Sequence, residues 1–99
     1  MSRELHEDAF TAARGQLKLA YQSTHATLRA AFPDIDVDSI HLVTGRALHL
    51  WFAALEIAKK VWAGYLSYEK AEAALAQQFS EFPDATCARA LSEAWNETR

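Results

Sequence analysis

The segment from residue 40 to residue 66 constrains the fold most, because it is the most apolar part of the chain: IHLVTGRALHLWFAALEIAKKVWAGYL. On a helical wheel its apolar residues fill an arc about 180° wide, whereas an ordinary surface helix needs only about 100°. Charged residues interrupt the segment too often for a membrane span. We therefore predict a helix that is buried on two neighbouring sides, and we expect no contact with a membrane.

The opposite side of this wheel is polar and carries Arg46, Glu56 and Lys60. Glu56 and Lys60 stand in the favoured order for an ion pair between successive turns, which places this side in water. Leu42 and Phe52 are its two large apolar exceptions. If both stay exposed, they offer a surface for a partner protein.

Four helices account for almost the whole chain, at about residues 3–31, 37–65, 68–79 and 84–97. The first carries a narrow apolar stripe at near-heptad spacing and must stop before Pro33, which cannot donate the next backbone hydrogen bond. Asp36 or Asp38 is suited to cap the central helix, Ser67 the third and Asp84 the fourth. The predicted fold class is all-α.

Composition places these helices in one globular domain, residues 1–99. The chain is 51% hydrophobic and 23% charged, and 99 residues suffice for a core without metal or disulfide support. Cys87 is the only cysteine, so an internal disulfide is impossible. Because no signal sequence opens the chain, we expect a cytoplasmic protein.

The helix lengths predict self-association. The first two helices would each be roughly 40 Å long, whereas a compact domain of this size has a radius of gyration near 13 Å. Two short helices cannot cover such a hairpin, so a second copy is expected to complete a dimeric helical bundle. The alternative is a monomer in which Gly15 or Gly45 kinks a helix. The residues predicted to mediate self-association are Ile40, Val43, Leu48, Leu50 and Trp51.

A basic ridge runs along the first predicted helix, where Arg14, Lys18, His25 and Arg29, with Gln22 among them, fall on one side at successive turns. No acidic residue lies between Asp8 and Asp34. The ridge could bind the acidic surface of another protein or follow a nucleic-acid backbone, or it could be a solvated face beside a dimer seam. The net charge of −3 argues against a dedicated nucleic-acid binder.

No pattern in the sequence indicates catalysis, a cofactor or a metal. The chain has no nucleophile elbow, no glycine-rich phosphate loop and no metal-binding cysteine pattern. His41 and His49 are eight residues apart, not three or four, so a metal would need further ligands such as His6 or His25. Cys87 shares a helix face with apolar residues and is predicted to be a buried structural cysteine.

These observations predict a non-enzymatic helical module for protein–protein interaction, of the kind that serves as an adaptor, inhibitor or assembly factor, and that self-associates through its central helix. The alternative is a small DNA-binding transcriptional regulator that uses the basic ridge. Trp51 and Trp62 are eleven residues apart and share a helix face, which suits either a core pair or a contact surface. No motif identifies a protein family.

Overall fold

The computed structural model describes residues 3–13 and 20–98, with side chains throughout these ranges except at residues 3, 4, 12, 13, 20, 21 and 23. All regular secondary structure in these ranges is helical, which confirms the all-α class. The described ranges contain five helices: α1 (Arg3–Ala13), α2 (Ala20–Ala31), α3 (Val37–Trp62), α4 (Tyr68–Gln78) and α5 (Asp84–Glu97).

The prediction of one long helix over residues 3–31 is wrong. The described residues of this range form two helices, and α1 packs against α2, which segments of one straight helix could not do. Folding back lets each helix cover the other's apolar stripe, and Leu5, Phe10 and Leu28 are all fully buried. The sequence signal for a break is Gly15, because glycine in a helix interior costs about 1 kcal/mol relative to alanine. That residue lies outside the described ranges.

Helix α3 is delimited by local chemistry. Its N-cap is Asp36, whose carboxylate accepts hydrogen bonds from the backbone N–H of Ser39 at 3.1 Å and from the Ser39 hydroxyl at 2.7 Å. At the other end Gly64 adopts φ +83°, the left-handed conformation of a helix terminator. The Tyr65 N–H donates to the Lys60 carbonyl and the Gly64 N–H to the Val61 carbonyl, which completes a Schellman motif.

Helices α4 and α5 begin in different ways. Ser67 caps α4 as predicted, since its hydroxyl accepts a hydrogen bond from the Lys70 N–H at 3.2 Å. The prediction that Asp84 caps α5 is wrong, because the N-cap is Pro83 and no side chain caps this end. The Pro83 carbonyl accepts hydrogen bonds from the backbone N–H groups of Thr86 and Cys87. Asp84 lies in the first turn, where its negative charge interacts favourably with the helix dipole.

The chain divides into two compact units, residues 1–49 and 50–99, with the boundary inside α3. In the first unit the large, fully buried apolar residues are Leu5, Phe10, Leu28, Ile40 and Val43. In the second unit α4 packs against α5, and its large buried residues are Leu50, Leu75, Phe79, Phe82 and Leu91. Each unit therefore has an apolar core of its own.

Candidate interaction surface

The residues predicted to mediate self-association are mostly covered within the single chain. Ile40, Val43 and Leu50 are fully buried, Trp51 is only 6% exposed and Leu48 is half-buried. The premise that only a second copy could cover this arc of α3 therefore does not hold. In the first unit α2 and α3 are in contact through the His25 and His41 rings.

Two exposed apolar residues lie on the opposite side of α3. Leu42 is 59% exposed and Phe52 is 54% exposed. They belong to a line of exposed positions spaced alternately by four and three residues, which one uninterrupted α-helix places along one side. We call this line the outer stripe; it consists of Asp38, Leu42, Gly45, His49, Phe52, Glu56 and Lys59.

Gly45 forms a notch in the outer stripe. A Cβ atom built at this glycine would meet no other atom within 4 Å, so the space above the backbone is open. Leu42 and His49 flank it along the stripe, one turn away on either side. The Arg46 guanidinium lies 3.4 Å from His49 Nδ1, and since arginine only donates, Nδ1 is the acceptor in this contact.

The basic ridge can be placed only in part. Arg14 and Lys18 lie outside the described ranges, whereas His25 and Arg29 stand one turn apart on α2, with His25 half-buried and Arg29 exposed. The His25 ring lies 4.3 Å from the His41 ring of α3, centroid to centroid. Burial lowers the pKa of His25, and the neighbouring His41 and Arg29 lower it further. The structure thus adds His41 to this region, which the periodicity of a single helix could not indicate.

An aromatic cluster lies in the second unit. The Trp62 and Trp95 rings stack with centroids 3.9 Å apart, and Tyr68 meets Trp95 edge-on at 5.4 Å. The Trp62 indole N–H donates to the Trp95 carbonyl at 3.2 Å. Although Trp51 and Trp62 share a side of α3 by periodicity, Trp51 is buried and Trp62 is 46% exposed. Trp62 is therefore fixed in position and still accessible at one face.

The prediction that Cys87 is a buried structural residue is confirmed, because its side chain has no exposed surface. Burial raises the pKa of the Cys87 thiol to about 11, and the negative charges of Asp84 and Glu81 contribute to the increase. These effects outweigh the field at the start of α5, which would favour the thiolate. The thiol is therefore protonated at neutral pH.

Comparison with known proteins gives no relationship: no family model, no curated protein and no solved structure matches the chain. Within the described ranges, no group of three or more His, Cys, Asp or Glu side chains is arranged to hold a metal ion. None of the helices there is both long enough and apolar enough to cross a membrane.

Two structural features could not be predicted from the sequence. Gly45 suggests a kink when α3 is considered alone, yet α3 continues through it and leaves the notch described above. The pairing of Trp62 with Trp95 joins residues 33 positions apart, a contact that only the packing of α5 can create. In contrast, the exposure of Leu42 and Phe52 follows from their place on the polar side of the helical wheel.

Proposed function

We propose that the protein is a helical module for protein–protein interaction, which acts by binding rather than by catalysis and pairs with a second copy of itself. The outer stripe of α3 is the contact surface. The observation that supports this proposal is that Leu42 and Phe52 both stay more than half exposed on one side of one helix. Exposed apolar side chains rimmed by polar residues are typical of interaction sites.

The composition of the stripe supports an interface between folded chains. Its middle consists of Leu42, Gly45, His49 and Phe52, and charged residues occupy its ends. Protein interfaces have the same layout, with few charges at the centre and a polar rim. A surface of this kind suits a two-fold dimer, in which the same patch contributes from both copies.

The test is the solution mass by light scattering over a hundredfold range of concentration. We expect the mass of the wild-type chain to rise from 11.1 kDa towards twice that value. A double variant with Leu42→Gln and Phe52→Gln should remain monomeric, and it should fold normally because both side chains are exposed. The matched control is Tyr65→Gln, which alters an aromatic residue that is 84% exposed and lies outside the stripe.

Two results would contradict the proposal. One is a wild-type chain that stays monomeric over the whole range of concentration. The other is a double variant that dimerises as strongly as the wild-type chain, since the outer stripe would then have no part in the contact.

A further inference from the structure

We infer that two copies of the chain pack with their α3 helices antiparallel, so that Phe52 of each copy enters the notch at Gly45 of the other. This inference rests on the proposed function, because it requires that the outer stripe is the self-association surface. It adds the direction of the helices and the pairing of residues, neither of which the existence of a dimer determines.

The first support is the size of the side chains. Gly45 and Phe52 are seven residues apart on α3, about 10.5 Å along its axis. An antiparallel pair whose two-fold axis passes midway between them places each phenyl ring over a glycine that has open space above it. Absence of a Cβ atom lets the partner approach the backbone closely.

A parallel pair fits the same residues poorly. It would bring each residue of the stripe opposite its own copy, with glycine facing glycine at one level and phenylalanine facing phenylalanine two turns away. The first level would leave a gap and the second would hold the helices apart. Packing without voids therefore favours the antiparallel arrangement.

The second support is the distribution of charge. The stripe has Asp38 near its start and Lys59 near its end, and Lys60 lies beside Lys59. An antiparallel pair brings Asp38 opposite the partner's Lys59, whereas a parallel pair brings like charges together. Lys59 also contacts Glu56 of its own chain at 3.4 Å. Both side chains of that pair are well exposed, so the contact is worth little and does not prevent Lys59 from meeting a second carboxylate.

The direction of the helices is tested by exchanging the charges at the two ends of the stripe. Asp38→Lys and Lys59→Asp should each weaken the dimer by about 3- to 30-fold, because each creates two like-charged contacts per dimer. The variant that carries both changes should recover the wild-type dissociation constant to within about threefold. A parallel dimer would show no such recovery, and that result would overturn the inference while leaving the proposed function intact.

Cross-linking gives an independent measurement of direction. A mixture of the Asp38→Cys and Lys59→Cys variants is treated with a short bis-maleimide, and the products are distinguished by mass. We expect the mixed product, joining one variant to the other, to form in preference to either homotypic product. The wild-type chain is the control, because its Cys87 is buried. Homotypic products alone would overturn the antiparallel arrangement.

The notch is tested by filling it. Gly45→Leu introduces a good helix former at an exposed site with free space, so the monomer should stay folded. Its side chain would occupy the position of the partner's Phe52, and we expect the dissociation constant to rise at least as much as with Phe52→Ala, about 10- to 100-fold. If Phe52→Ala weakens the dimer and Gly45→Leu does not, the placement of Phe52 in the notch is wrong although the stripe remains the interface.

Discussion

Replacing Gly45 or Gly64 with alanine should change stability in opposite directions. A Cβ atom would meet nothing within 4 Å at either glycine, so the two sites do not differ in available space. They differ in backbone conformation, since Gly45 lies inside α3 and Gly64 has φ +83°. The comparison therefore isolates the conformational term from packing.

The magnitudes follow from that difference. Alanine is better than glycine in a helix interior by about 1 kcal/mol, so Gly45→Ala should increase the free energy of unfolding by nearly that amount and raise Tm by about 4–8 °C. At Gly64 the left-handed conformation costs an L-residue about 1–2 kcal/mol. Alanine also reduces the conformational freedom of the unfolded chain, which offsets about 0.4–1 kcal/mol of this cost. The free energy of unfolding of Gly64→Ala should therefore be lower than that of the wild-type chain by roughly 1 kcal/mol.

The assay is urea denaturation followed by circular dichroism, at a protein concentration where light scattering shows a monomer. Both variants should keep the wild-type dependence of unfolding free energy on urea, so that the shift in midpoint reports stability alone. Equal shifts in the same direction would refute the reasoning, because they would mean that the two backbone conformations do not control the outcome.

Three further predictions concern individual side chains. Ser67→Ala should lower the free energy of unfolding by about 1 kcal/mol in urea denaturation, because the Lys70 N–H loses its cap, and an unchanged midpoint would show that the cap is dispensable. Cys87 should react with iodoacetamide at pH 8 only after denaturation, since its thiol is buried and has a pKa of about 11; rapid labelling of the native chain would contradict this. The fold lowers the pKa of His25, so its stabilising effect is complete above about pH 6.5 and is lost as the pH falls through the folded value. The urea midpoint of the wild-type chain should therefore fall more between pH 7 and pH 5 than that of His25→Gln, and parallel curves would exclude a role for His25.

The ends of several helices could be predicted because they depend on nearby residues. Pro33 stops α2 just before Phe32, Asp36 and Ser67 supply caps through their own side chains, and Gly64 provides the left-handed turn. Asp84 shows the limit of predicting helix ends from nearby residues, because acidic residues are favoured both at the N-cap and in the first turn of a helix. Sequence alone could not distinguish those two positions.

The helical hairpin of α1 and α2 could not be predicted in the same way. Its apolar spacing continues from Phe10 to Leu28 at an almost constant period, which is equally compatible with one long helix. Folding back is decided by what covers the stripe, and that depends on contacts between residues distant in sequence. The prediction of the self-association site depended on the same assumption, because Ile40 and Val43 were expected to lack a cover only if the first helix was long.

The exposed residues of the outer stripe also set the strength of the proposed dimer. Burying a large apolar side chain completely contributes about 1.5–3 kcal/mol, and Leu42 and Phe52 each have slightly more than half of their surface left to bury. Over two copies the four side chains supply roughly 3–6 kcal/mol. Association costs an estimated 4–15 kcal/mol, so apolar burial alone leaves the two copies largely separate at low concentration. Close approach at Gly45 and the charge pairs at the ends must therefore supply the remainder. For this reason the solution mass should rise with concentration instead of remaining at the dimer value throughout.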